Sequence, residues 1–398
     1  MIHQLRDAVP ETCGGKAGTL GALVRAGLLV PDGFVIPFDV YRAALANPTT
    51  TVTDVLRDAI AEGLARLGDR PVAVRSSADD EDTPAASAAG QHESVLAVQG
   101  VDSVMNAVQT CWTSLWSQRA TAYRAALGGH ERGSGHVAMA VLVQRLVDAE
   151  VSGVMFTPTG RCGNTAIEAS WGLGPTVVGG AVTPDAYRVD GSGAVTENIS
   201  DKRLRMDRDG AVLVTRDVSA TDRGAATIDD ETAVRLSRLG HTIASVLGGP
   251  QDVEWALEGD RIWILQARPI TAGFPSPPPD ESANNAAIGS PPSSTGTPGS
   301  PGTATGTARI VRGPGDFARV RPGDILVCPY TDPAWTPLLR IAKGVVTETG
   351  GVLSHAAIVA REMRIPAVLA VTGATDLIRD DTPVTIDGSA GTVTAVGI

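Results

Sequence analysis

The stretch from Phe274 to Gly302 constrains this chain most, because nothing in it can build a core. Pro, Ser, Gly, Thr and Asn crowd it, and large apolar side chains are almost absent. A segment that buries little apolar surface cannot offset its own ordering entropy and reads as a linker. The chain is therefore expected to form two bodies, over 1–272 and 303–398, joined by 273–302. Fully extended at about 3.3 Å per residue, such a linker would reach about 95 Å, enough for one body to swing against the other. With 398 residues and 43% apolar content, each body can hold a core of its own.

Net charge is −11, which argues against nucleic acid as the main partner. Cys13, Cys111, Cys162 and Cys328 are scattered without a Cys-x-x-Cys spacing and read as free thiols, neither a disulfide frame nor a zinc site. The N-terminus carries no apolar signal core, and no apolar run is long enough to span a bilayer. The expectation is a soluble cytoplasmic protein with no membrane partner. Lysine occurs only at Lys16, Lys202 and Lys343 among 33 lysines and arginines, so each is worth a question.

In the second body, Thr347-Glu348-Thr349-Gly350-Gly351-Val352-Leu353-Ser354-His355 delivers a histidine to the start of a helix over 356–363. Glycine permits the turn, and Ser354 is placed as N-cap. A helix N-terminus offers free N–H groups and partial positive charge, which attract phosphate and keep an imidazole neutral. His355 is thus a candidate to accept a phosphoryl group.

In the first body, Cys13-Gly14-Gly15-Lys16-Ala17-Gly18 is a glycine-rich turn leading into a helix expected over Lys16 to Val30. It lacks the Walker A spacing and reads either as a phosphate loop or as a tight turn with an exposed lysine. Val72 to Ser77 is an expected strand that brings Arg75, a fork-shaped phosphate donor, to its end. Gly33 to Ile36 and the alternating Val137, Met139, Val141 and Val143 read as strands. A helix capped by Asp102 or Ser103 should run to about Leu127 and bury Val104, Val108, Cys111, Leu115 and Trp116. Asp229 to Val246 reads as another helix. Asp324 to Cys328, Gly344 to Val346 and Ala367 to Val371 read as short strands.

Asp252 to Ile270 reads as a hairpin about Glu258-Gly259-Asp260. With a three-residue loop, Asp252, Glu254, Gln266 and Arg268 share one face, and Trp255, Trp263 and Leu265 the other. Two carboxylates, an amide oxygen and a guanidinium would suit Mg²⁺ and phosphate oxygens. A two-residue loop would split the set.

The run from Thr347 to Val368 resembles the phosphohistidine motif of the phosphoenolpyruvate-utilising enzymes, which include phosphoenolpyruvate synthase, pyruvate phosphate dikinase and rifampin phosphotransferase. The first body resembles the ATP-grasp domain that begins the same enzymes. The segments G-G-K-A-G, V-R-S-S-A, S-A-A-G-Q-H-E-S, V-Q-R-L-V, S-G-V-M-F-T, I-E-A-S-W-G-L-G, V-T-P-D, D-V-E-W-A and L-Q-A-R-P-I-T occur in family order across about 11–271. The resemblance implies an α/β fold throughout, an ATP-grasp domain followed by a small swivelling β/α phosphohistidine domain. It implies Lys16, Arg75 and Arg268 as phosphate contacts, and Gly90 and Ser94 as the loop over the phosphates. It also implies Gln144 to Val147 as the hinge beside adenine, Glu168 as a further nucleotide contact, and Glu254 and Gln266 as Mg²⁺ ligands helped by Asp252. His92 stands where glutamine is common and receives no role.

The implied activity is an ATP-dependent phosphotransfer in which His355 takes the β-phosphate and AMP and phosphate leave. The cofactors would be ATP and Mg²⁺. Family members carry a third, acceptor-binding part that no segment here matches. The expected acceptor is therefore a small molecule or a site on a separate acceptor-binding protein. A condensing or ligase-type reaction through a phosphorylated intermediate is the alternative, since ATP-grasp folds serve ligases too.

Overall fold

The computed structural model describes residues 1–46, 50–78, 93–117, 121, 137–158, 163–270 and 293–395. Gly90, His92 and Cys162 lie outside them. Two large antiparallel sheets, and a two-stranded ribbon of Leu204–Asp209 with Val212–Asp217, build the N-terminal part. In the first, strand order in space is His3–Gln4, Gly33–Ile36, Met139–Arg145, Val72–Ala78, Ser94–Val98. In the second it is Arg261–Pro269, Gln251–Glu258, Val151–Phe156, Thr165–Trp171, Asp185–Val189, Val195–Asn198. The chain passes from one sheet to the other through residues 146–150, so the two meet along a cleft.

The expected strand at Met139–Arg145 forms, yet both of its faces are buried. Met139 and Leu142 join one apolar cluster with Leu20 and Leu23, while Val141 and Val143 join another with Ile60 and Val108. A central strand between two cores has no solvent face to alternate toward. The helix expected from Lys16 to Val30 instead spans Pro10–Arg25 and is broken at Gly14, whose φ of 78° only glycine adopts at little cost. Gly14 also packs so closely on Ser77 that a Cβ would overlap its carbonyl. Ser77 Oγ accepts a hydrogen bond from Ala17 N at 3.1 Å, so the Val-Arg-Ser-Ser strand caps the helix turn that carries Lys16. The helix Val101–Ser114 buries Val104, Val108 and Cys111 as expected and stops short. Trp116 follows its last turn and is 60% exposed, so it leaves the predicted buried stripe. The helix Asp230–Leu247 agrees with expectation: Asp229 caps it through Thr232 N at 2.8 Å, and Gly248 ends it in the left-handed region.

Lys202 is fully buried. Its Nζ donates to Asp185 at 2.6 Å and to Ser200 O at 2.9 Å. Asp185 also accepts from Ser200 N, Thr227 N and Thr227 Oγ1. The Asp of the Val-Thr-Pro-Asp segment thus pins the meander after the second sheet instead of facing the cleft.

The C-terminal part is one eight-stranded sheet in the order Ser293–Thr295, Thr392–Ala395, Pro383–Asp387, Thr303–Ile310, Ile325–Cys328, Gly344–Thr347, Ala367–Leu369, Thr297–Ser300. Its four central strands from Thr303–Ile310 to Ala367–Leu369 are parallel. Helices pack on them, and strands Ile325–Cys328 and Gly344–Thr347 are buried throughout. Residues 293–300, assigned to the linker by composition, are two edge strands here. Their small residues are what the site demands: a Cβ on Gly296 or Gly299 would overlap Leu369. Composition cannot separate a stretch that lacks a core from one that completes a neighbour's.

Candidate functional site

A cavity of about 570 Å³ lies between the two N-terminal sheets and reaches the C-terminal part, a size typical of small-molecule sites. Its first wall is the sheet that carries Arg75 and Ser94, which face each other across paired strands, with Lys16 beside them. Arg75 Nη1 donates to Leu265 O at 3.2 Å and stands 3.9 Å from Glu254, while its Nε is buried with no hydrogen-bond partner. An orphaned guanidinium nitrogen beside a cavity suits an anionic ligand. The connection between the sheets closes one end through Gln144, Leu146, Val147 and Ala149. Gln144 Nε2 donates to Pro31 O at 2.9 Å, which turns its amide into the wall, and Val147 packs with Leu173 and Ala256. Apolar Leu146, Val147 and Ala149 dominate this end, which suits a purine.

The opposite wall is the hairpin Gln251–Glu258/Arg261–Pro269. Glu258 pairs with Arg261, so the loop has two residues, the case that should split the polar set. A bulge restores it: Asp252 pairs with Arg268 and Glu254 with Gln266, but Trp255 pairs with Ile264, which leaves Leu265 as the extra residue. All four polar residues therefore line the cavity. The bulge also corrects the other face. Trp255 alone packs into the large core, whereas Trp263 and Leu265 cluster with Val147 and Ala256 on the cavity side.

Glu254 and Gln266 present a carboxylate and an amide oxygen side by side, a hard-oxygen pair that fits Mg²⁺ with phosphate oxygens and water completing its shell. Asp252 fits less well. It is buried, and Arg268 Nε and Nη2 both donate to its Oδ2 at 2.9 and 2.7 Å. Burial raises its pKa, and the Arg268 charge opposes that rise. Among the described residues no group of three His, Cys, Asp or Glu is arranged to hold a metal by itself.

His355 enters the cavity from the C-terminal part and is 5% exposed. It opens the helix His355–Met363. Ser354 holds the N-cap position in extended geometry, but its hydroxyl makes no cap bond and is buried without a partner. Two hydroxyls hold the imidazole: Thr331 Oγ1 lies 2.8 Å from Nδ1 and Thr336 Oγ1 3.3 Å from Nε2. Both threonines flank the turn Pro333–Trp335, which Asp332 caps through Ala334 N at 2.7 Å. The Asp-Pro pair was a readable helix-start signal; nothing local tied it to a histidine some twenty residues on.

Glu168 differs from expectation. It does not line the cavity; it is 3% exposed and faces the C-terminal part. Its two oxygens accept hydrogen bonds from Val352 N at 2.6 Å and Leu353 N at 3.1 Å, in the turn before His355. Burial pushes its carboxyl up to about 7, against the pull of those amides and of Arg361. Arg361, which the sequence reading overlooked, donates to Val352 O and Ala357 O, and burial brings its pKa down to about 10. Around this contact Val154, Phe156, Val177 and Val182 form one apolar cluster with Leu353 and Ile358.

Lys16, Arg75, Ser94, Gln144, Val147, Asp252, Glu254, Gln266, Arg268 and His355 thus meet at one cavity, and Glu168 alone of the described candidates is turned elsewhere. Residues 44–284 match the pyruvate phosphate dikinase AMP/ATP-binding domain, and 320–391 match the PEP-utilising enzyme mobile domain. A probable phosphoenolpyruvate synthase of Methanothermobacter thermautotrophicus is 35% identical over 425 residues, which cover 96% of this chain and 61% of the relative. One from Archaeoglobus fulgidus is 35% identical over 424 residues, covering 96% and 56%. The phosphoenolpyruvate synthase of Aeropyrum pernix is 34% identical over 474 residues, covering 98% and 57%. The chain spans about three fifths of the length of these curated relatives. Two family matches in the expected order, over the two parts that share the cavity, establish that the chain belongs to the phosphoenolpyruvate-utilising enzymes, an AMP/ATP-binding domain followed by the mobile domain.

Proposed function

We propose that this chain transfers the β-phosphate of ATP to His355 and from there to a small-molecule acceptor. The observation that carries the reading is the shared cavity: His355 faces the same space as Lys16, Arg75, Glu254, Gln266 and Arg268. With Nδ1–H donating to Thr331, Nε2 bears the lone pair that attacks the β-phosphorus. AMP is the leaving group, and the γ-phosphate departs as phosphate after attack by water. Lys16, Arg75 and Arg268 draw charge from the phosphate oxygens as it develops. A Mg²⁺ ion on Glu254 and Gln266 would neutralise part of the triphosphate and help align it.

The acceptor is an oxygen nucleophile or enolate of a small metabolite. The relatives' names point to phosphoenolpyruvate on their side, and the match to this chain covers only part of their length. Among the described residues no helix is long and apolar enough to cross a membrane.

The test is incubation with Mg²⁺ and ATP labelled at the β or the γ position, followed by identification of the nucleotide product. β-Label on His355 with AMP released is the expected result. γ-Label with ADP released, or an acid-labile phosphoenzyme that persists in His355→Ala, would overturn the assignment.

A further inference from the structure

The cavity accounts for every described candidate but Glu168, whose carboxylate lies on the second N-terminal sheet and spends both oxygens on the C-terminal part. The turn it holds, Gly351-Val352-Leu353, leads directly into His355. The fit is close: a Cβ on Gly351 would overlap the Glu168 carboxylate. No positive φ forces glycine at Gly351, so the reason for glycine there is the approach of Glu168. A second tie runs from Thr349 Oγ1 to Gly180 O at 2.6 Å, and Gly180 itself packs on Ser354. Arg361 lies over the Phe156 ring, 6.0 Å from its centroid, and the apolar contacts, from Phe156 and Val154 to Leu353 and Ile358, are undirected. They bring the two parts together but do not fix a rotation between them. Two hydrogen bonds to consecutive amides do.

We propose that Glu168 is a positioning residue, a latch that docks the mobile domain with His355 facing the ATP cavity and that must open for His355 to reach an acceptor. The latch is built to open. Its partners are backbone amides that water can satisfy once the domains part, and burial disfavours the charged carboxylate while it is docked. Arg361 is the charged group that acts on it, favouring the carboxylate, and Arg361 in turn feels Asp252 and Glu362 as well.

The rate part of this inference rests on the proposed phosphoryl transfer; the docking part does not. The test therefore reads both. Spin labels at exposed Thr242 and Leu377 report the distance between the two parts in the full-length chain. In Glu168→Ala the distance distribution should broaden toward longer values. Single-turnover labelling of His355 should fall at least tenfold, while ATP affinity stays within about threefold. Gly351→Ala, which breaks the same contact from the other side without altering the ATP-binding part, should reproduce all three results. Glu168→Gln, which keeps an acceptor, should recover part of the docked population. Unchanged distances in both Glu168→Ala and Gly351→Ala would overturn the latch whether or not His355 is ever phosphorylated. A tenfold loss of ATP affinity in Glu168→Ala with distances unchanged would return Glu168 to the role of nucleotide contact.

Discussion

Two buried carboxylates on the second N-terminal sheet, Asp252 and Glu168, have opposite fates. Both are nearly closed to solvent, and burial raises the pKa of each. Asp252 is matched by Arg268 on the adjacent strand of the same hairpin, so its partner cannot leave without the sheet unravelling. Glu168 is matched by Val352 and Leu353 of a different body, so its partners can leave while every sheet stays intact. Similar burial and charge thus give a structural tie in one place and a conformational one in the other. The difference lies in whether the partner is fixed by the same hydrogen-bond ladder.

The largest test of that contrast is Asp252→Ala. Arg268 loses the carboxylate that accepts two of its hydrogen bonds, and removal of one member of a buried pair costs on the order of 3 kcal/mol. Thermal or urea unfolding of the N-terminal part should shift accordingly; a melting temperature equal to the parent's would erase the distinction. Glu168→Ala should be milder for the fold, because the two amides escape into water when the domain undocks instead of remaining buried at about 1–3 kcal/mol each. Equal destabilisation of the two variants would show that Glu168 is a structural tie as well.

The pH response sharpens the same comparison. Docking raises the Glu168 pKa from its ordinary 4.5 to about 7, so the docked state holds the proton more tightly. By linkage, its contribution to docking is fully present below about 4.5 and is lost as pH rises through about 7. The docked fraction measured by the spin-label distance should therefore decline between pH 6 and 8, and Glu168→Gln should flatten the profile. A slope that survives in Glu168→Gln would belong to a group other than Glu168. Thr331→Val should have the smallest effect. Loss of one hydrogen bond to Nδ1 is worth about 0.5–1.5 kcal/mol, a few-fold in the rate of His355 labelling with ATP affinity unchanged. A loss of ATP affinity instead would mean that Thr331 serves the nucleotide rather than the imidazole.

Much of the site was legible because it is written locally. The glycine turn, the serine and the histidine at 350–355 are contiguous, and a helix start follows from them alone. Arg75 follows from a short strand and Ser94 from the family resemblance, and the structure adds that they are cross-strand neighbours. The hairpin face succeeded for a reason the pattern did not contain. The loop has two residues, not three, and the bulge at Leu265 supplies the missing residue and brings Glu254 opposite Gln266. Its cost was the misplacement of Trp263 and Leu265, since a bulge reverses the facing of everything between it and the turn. The edge strands at 293–300 were invisible because glycine and serine carry no hydrophobic alternation, although a tightly packed edge has room for nothing larger.

By itself, the sequence carried an α/β composition, a histidine at a helix start and a set of cationic and carboxylate residues in a recognisable order. These depend on local backbone preference and on short-range spacing, which a linear string carries. Tertiary structure alone decided that His355 faces the cavity, that Thr331 and Thr336 hold its ring, and that Asp252 is committed to Arg268. It also turned Glu168 away from the expected nucleotide and onto Val352 and Leu353, 184 and 185 residues further along the chain. Such contacts are selected by shape and by the burial of unpaired polar groups between separate bodies, and no periodicity in the chain encodes them.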